Sequence, residues 1–217
     1  MPGQADTSLP NCHKLYVATS GGGKSSALKA DLAASKPERL VMWDPEGEHE
    51  TGVQVGSIAQ FTRVLAGATC SGKRYSIAVQ VRPSVDEFER FCRAVWAVAC
   101  STRPMTVVVE ELADVTRNAG KASPAWGELI RRGRKYGVTI YVVTQSPTEI
   151  SKTVYRNVNA LWCGVCETEA ERRRMAAHLD IGLEKMRALQ PLEYYQKRLG
   201  HPASRGKITF SRGLPRL

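Results

Sequence analysis

Short apolar runs alternate along the chain with longer stretches whose apolar residues recur every three or four positions. Residues 14–18 (KLYVA), 39–44 (RLVMWD), 75–81 (YSIAVQV), 105–109 (MTVVV), 138–143 (VTIYVV) and 160–165 (ALWCGV) read as strands. The runs at 105–109 and 138–143 suit strands buried on both faces. Between the runs, helices are expected over 24–35, 84–100, 124–136 and 167–178. In the second of these, Val85, Phe88, Phe91, Val95 and Val98 share one face. Gly137 stops the third. Strands that alternate with helices predict an α/β fold with a mostly parallel sheet and helices on both faces. Past Gly182 the pattern weakens, and residues 193–199 and 207–210 are expected to form a small hairpin-like edge. Neither a repeat nor a domain boundary interrupts the chain. Residues 1–217 therefore read as one domain, with a core at 14–182 and a basic extension at 183–217 packed on it.

Composition excludes little. Apolar residues make up 42% and charged residues 24%, ordinary for a globular protein. No run approaches the roughly 20 apolar residues of a membrane helix. The first ten residues lack the basic and apolar regions of a secretory signal, so a cytoplasmic setting is expected. The six cysteines are scattered, which argues against a disulfide framework. Cys163 and Cys166 form one C-x-x-C pair. Zinc would need two further ligands and only His178 lies nearby, so a buried strand end is the favoured reading. Net charge is +10, and residues 172–217 hold 11 Lys/Arg against 3 Asp/Glu, or +8. Such a segment attracts a polyanion such as DNA or RNA, or simply forms a solvated basic face. Charge alone does not choose.

Candidate chemistry begins at residues 18–26, Ala-Thr-Ser-Gly-Gly-Gly-Lys-Ser-Ser, between the first predicted strand and helix. Glycine-rich backbone there can bring N–H groups against phosphate oxygens, helped by the positive end of the helix. Ser20, Gly21, Gly22, Gly23, Lys24, Ser25 and Ser26 are thus candidates for binding ATP. Lys24 can reach the β- and γ-phosphates, and the Ser25 hydroxyl can ligate Mg²⁺. The usual pattern begins with Gly where this chain has Ala18. A methyl group costs little there unless the backbone needs positive φ.

Glu110 and Glu111 follow the run 105–109, and ligands of such sheets bind at the carboxyl ends of strands. One carboxylate can hold the Mg²⁺ water shell while the next orients the attacking water. Gln145, just past the run 138–143, can contact the γ-phosphate or the lytic water. Arg131, Arg132 and Arg134 sit near a predicted helix end. They either complement its dipole or act as an arginine finger or DNA contact, and spacing does not decide.

Five segments occur in order: residues 20–25 (SGGGKS), 43–48 (WDPEGE), 107–111 (VVVEE), 132–137 (RGRKYG) and 142–147 (VVTQSP). Together they resemble the FtsK–HerA superfamily of DNA-pumping P-loop ATPases, of the RecA-like, ASCE fold. The resemblance spans roughly residues 14–210. It implies that Lys24 and Ser25 bind phosphate and Mg²⁺, Glu110 organises the metal, Glu111 is the catalytic base and Gln145 the sensor. Asp44 and Glu48 match a family motif near the nucleotide. Most relatives have Asp where this chain has Glu110. The likeness is to the minimal core seen in genome-packaging ATPases of tailless icosahedral viruses with an internal membrane. It implies a homo-oligomeric ring of five or six subunits that drives double-stranded DNA into a preformed capsid. Capsid or viral membrane proteins at the packaging vertex would be its partners, and the host cytoplasm or the virion vertex its place. Three alternatives stand beside this one: a cellular translocase in end processing or conjugation, a small-molecule kinase, and a nucleotide-dependent DNA-binding adaptor.

Overall fold

The computed structural model describes residues 2–50 and 52–209. Its strands are β1 (Lys14–Val17), β2 (Arg39–Trp43), β3 (Val53–Val55), β4 (Tyr75–Val79), β5 (Met105–Val109), β6 (Val138–Thr144), β7 (Ala160–Cys163), β8 (Glu193–Arg198) and β9 (Ser204–Lys207). Its helices are α1 (Lys24–Ser35), α2 (Ile58–Ser71), α3 (Val85–Val98), α4 (Pro124–Arg132), α5 (Lys152–Asn157), α6 (Glu169–Leu179) and α7 (Leu183–Arg187). The strands form one sheet in the order β3-β4-β2-β5-β6-β1-β7-β8-β9. Pairing is parallel from β3 to β7 and antiparallel where β8 and β9 extend the edge. The α/β fold with a mostly parallel sheet, expected from the alternation of periods, is the one observed.

Strand alternation divides the core in two. On one face Phe61 and Leu65 of α2, Phe88 and Phe91 of α3, Trp126 and Leu129 of α4 and Met175 of α6 pack on Val41, Trp43, Val107 and Ile140. On the other, Leu28 of α1 meets Tyr16, Met42, Val108, Val143 and Trp162. Trp43 lies edge-on to Phe88 at 5.2 Å, and Phe61 stacks on Phe91 at 5.0 Å, which ties α2 and α3 to β2. Each such buried side chain contributes about 1.5–3 kcal/mol. Glu89 of α3 is also buried. Its carboxylate accepts hydrogen bonds from Ser123 Oγ (2.6 Å) and the N–H groups of Ala125 (2.8 Å) and Trp126 (3.0 Å), where α4 begins. Burial raises the Glu89 pKa, but these bonds outweigh it and hold it below the ordinary value.

Several elements differ from expectation. The stretch expected as one helix to residue 136 is α4 to Arg132 followed by a tighter 3₁₀ turn, Gly133–Tyr136, closed by Gly137 at φ 69°. β3, α2, α5 and α7 were not legible. β3 has three residues and α7 five, too few to show a period. α2 has buried Ile58, Phe61 and Leu65 at helical spacing, but Ala, Gly, Thr and Cys dilute its C-terminal half. The hairpin edge exists, with its second strand at Ser204–Lys207 rather than 207–210; Phe210 lies outside the described residues. Among those residues, no helix is long and apolar enough to cross a membrane.

His13, just before β1, has almost no exposure, and its Nδ1 accepts the Ile140 N–H at 3.1 Å. Burial, with the Arg134 charge adding to it, pulls its pKa down to about 4. Above pH ~6.5 neither the folded nor the unfolded state protonates this ring, so its full contribution is present. As pH falls from ~6.5 toward 4, the unfolded chain binds a proton that the folded one refuses. About 3 kcal/mol of stability is therefore expected to disappear over that window. Urea midpoints at the two ends of the window, for the parent and His13→Gln, test this. An equal drop in the variant would rule His13 out as the cause.

Candidate active site

The carboxyl ends of β2, β5, β6, β1 and β7 line up along one edge of the sheet, and a cleft of about 510 Å³ opens there. Thr19, Lys24, Glu48, Glu110, Glu111 and Gln145 all line it. β6, which carries Gln145, lies between β1, which feeds the glycine loop, and β5, which feeds the carboxylates. That order is what brings residues over 80 positions apart in sequence onto one cleft.

The loop from Ala18 to Gly23 is shaped by close approach. Gly23 has φ 93° and caps α1, and a Cβ on it would run into the Ile208 side chain. Ala18 is absent from the residues with positive φ and is fully buried. Its methyl group has room because its neighbours lack one. A Cβ on Gly22 would lie 2.7 Å from Ala18 Cβ, and one on Gly164 would lie 3.0 Å from it. The turn after β7 also braces the loop through Gly164 N–H to Val17 O (2.8 Å) and Thr19 N–H to Val165 O (2.9 Å). Gly164→Ala is accordingly expected to displace the loop. It should cost about 1–3 kcal/mol of stability by overpacking and weaken ATP binding in calorimetry. Parent-like values for both would show that the turn and the loop are not coupled.

Lys24 is almost fully buried, and its ammonium donates to the carbonyls of Ala18 (2.8 Å) and Thr19 (3.0 Å). Burial lowers its pKa, opposed by the charges of Glu111, Glu48 and Glu110. Ser25 Oγ donates to Glu48 Oε2 at 2.8 Å. Glu110 is buried, with His49 Nε2 2.7 Å from its Oε1. Burial pushes the Glu110 pKa up, the His49 contact opposes this, and the charges of Glu48 and Asp44 add to the rise. Glu111 adopts φ 39°, strained for a residue with a side chain. Its Oε1 accepts from Thr144 Oγ1 (2.9 Å) and the Gln145 N–H (3.0 Å), so the carboxylate is docked on the tip of β6. Behind that tip, Arg174 of α6 donates to Pro147 O at 3.2 Å.

Other expected positions fall elsewhere. Asp44 is fully buried and does not line the cleft; its oxygens accept the N–H groups of Glu48 and His49. Ser20, Gly21, Gly22, Gly23, Ser25 and Ser26 belong to the loop and the first turn of α1 without lining the cleft walls. Arg131, Arg132 and Arg134 lie just before β6, at the end opposite Gln145, roughly 20 Å away along a strand of seven residues. Arg132 pairs with Glu128 at 2.8 Å, and Arg134 donates to the Thr7 and Leu9 carbonyls. None of the three lines the cleft of its own chain. Cys163 and Cys166 are buried with sulfurs 3.7 Å apart, and His178 stacks on Tyr155 instead of facing them. Sequence reading missed His49, Thr144 and Glu171. The last lines the cleft while completing a capping box with Thr168 at the start of α6. Thr-x-x-Glu at 168–171 was the available signal for it; His49 and Thr144 carried none.

This fold is that of the P-loop NTPases. No family model matches the chain. It is 39% identical over 212 residues to Protein P9 of Pseudoalteromonas phage PM2, an alignment that covers 95% of each protein. The chain therefore belongs to the family of Protein P9. Its fold is similar to that of the genome packaging NTPase B204 from Sulfolobus turreted icosahedral virus 2 in complex with AMPPCP. That match has a TM-score of 0.72 at 16% identity and covers 93% of this chain and 100% of that one. VirB4 of Thermoanaerobacter pseudethanolicus is similar at a TM-score of 0.62 and 13% identity, over 93% of this chain and 90% of that one.

Proposed function

We propose that this chain is an ATP-hydrolysing motor that translocates double-stranded DNA and packages a viral genome into a preformed capsid. The observation that carries the proposal is Glu111, held by Thr144 and Gln145 in a cleft that also contains Lys24. A base, a sensor amide and a phosphate-binding ammonium are the parts that phosphoryl transfer to water requires. The relationship to a phage protein and the fold shared with a viral packaging NTPase support the packaging role.

In this reading the loop N–H groups and Lys24 bind the triphosphate, with Lys24 exchanging two carbonyls for phosphate oxygens. Glu111 accepts the proton of the attacking water, and Gln145 positions that water or the γ-phosphate. The donors present suit Mg²⁺, since Ser25 and Glu110 offer oxygen. Among the described residues no three His, Cys, Asp or Glu side chains form a metal cage of their own, so the cation would arrive with the nucleotide. Magnesium bound there would offset phosphate charge. Ser25 and Glu110 would hold it, and the Ser25 hydroxyl would have to leave Glu48. Arg131, Arg132 and Arg134 do not line their own cleft, so a finger role for any of them would call for a neighbouring subunit, as in a ring. Lys197, Arg198, Arg205 and Lys207 on the β8–β9 edge are candidate contacts to DNA or to that neighbour. Capsid or membrane proteins at the packaging vertex, reached from the host cytoplasm, complete the reading.

ATP turnover with and without duplex DNA, on protein whose oligomeric state is fixed by sedimentation, is the test. Assembled protein should hydrolyse faster with DNA. Turnover indifferent to DNA, or transfer of phosphate to a small acceptor, would overturn the motor.

A further inference from the structure

The loop after β2 connects the two groups assigned to the cation. Asp44, fully buried, accepts the N–H groups of Glu48 (2.9 Å) and His49 (3.0 Å), and the His49 carbonyl accepts from Gln54 Nε2 at 2.9 Å. The loop is thus pinned on both sides. From it, Glu48 accepts the Ser25 hydroxyl and His49 Nε2 meets Glu110 Oε1 at 2.7 Å. His49 is 4% exposed. Among the described residues it is the one side chain that hydrogen-bonds Glu110.

Glutamate has one more rotatable bond than aspartate, and each free rotor blurs the position of a carboxylate. Fixing one oxygen removes most of that freedom and leaves the second oxygen for another partner. Groups that hold a ligating carboxylate tune its metal nearly as much as the ligand does. We infer that His49 is a positioning residue that holds the Glu110 carboxylate for the nucleotide's cation, with Asp44 fixing His49 in turn. This inference rests on the reading of Glu110 as the metal-organising carboxylate. The His49 contact also accounts for a longer acid at this position, because it anchors the added reach.

Mn²⁺ serves as the probe, its affinity for the ADP complex read from the electron paramagnetic resonance of free Mn²⁺. His49→Ala should weaken that affinity by about 10–100-fold, with Mg²⁺-free ADP binding unchanged. His49→Gln, whose amide can still donate to Glu110, should recover most of the loss. A role confined to folding would not give that split or that rescue. In the native protein, the ¹⁵N resonance of His49 Nε2 should move when Mg²⁺ joins the ADP complex. Parent-like Mn²⁺ affinity in His49→Ala, or a native resonance that does not respond, overturns the inference. If both variants fail to fold, the native resonance decides. Native protein that takes up neither Mn²⁺·ADP nor ATP sinks the nucleotide-site reading instead.

Discussion

Glu111→Gln will bind ATP as the parent does and turn it over about 10²–10⁴-fold more slowly, the range that loss of a positioned base produces. The substitution keeps the shape of the side chain. Its amide oxygen can still accept from Thr144 Oγ1 and the Gln145 N–H, the two contacts that now dock Glu111 on β6. Backbone strain at φ 39° is the same for either residue, so the local fold has no reason to change. What disappears is the negative charge and the capacity to take a proton. Single-turnover hydrolysis at saturating ATP, with calorimetry for binding, separates the two effects. Turnover equal to the parent's would take Glu111 out of the chemistry. It would favour the nucleotide-dependent DNA-binding adaptor over the motor.

The cleft was more legible in the sequence than the network behind it. Lys24, Ser25, Glu110, Glu111 and Gln145 each follow an apolar run or a glycine loop. Parallel strands place such positions at one edge of the sheet. Period and punctuation therefore locate them before any contact is known. The strand order that puts β6 between β1 and β5 leaves no local trace. Neither does the pairing of His49 with Glu110, which depends on a loop fixed by a buried Asp44. Ala18 shows the same limit. Read alone it is a departure from a glycine pattern. In the fold its methyl group occupies space left by Gly22 and by Gly164, more than 140 residues away in the chain. Among elements, α2 shows how small residues hide a helix whose buried face is carried by three side chains.

Lys24→Ala will weaken ATP binding by about 10–100-fold, the value of one hydrogen bond to a charged group. The composition of the cleft sharpens the expectation. Glu46, Glu48, Glu110, Glu111, Asp114, Glu149, Glu167 and Glu171 line it, and Lys24 is the one basic residue among the lining residues. A triphosphate entering so acidic a space needs positive charge from the ammonium, from the loop N–H groups and from an accompanying cation. Removing the first leaves the other two. The loss should therefore be larger when Mg²⁺ is withheld than when it is saturating. Stability without nucleotide should change far less, because the variant also relieves the cost of burying a charge whose pKa is already pulled down. Calorimetric titration of ATP into parent and variant, with and without Mg²⁺, reads both predictions, and thermal melts read the third. If Lys24→Ala bound ATP as tightly as the parent in both conditions, the phosphates could not lie in this loop. Glu111 would then have no substrate to act on.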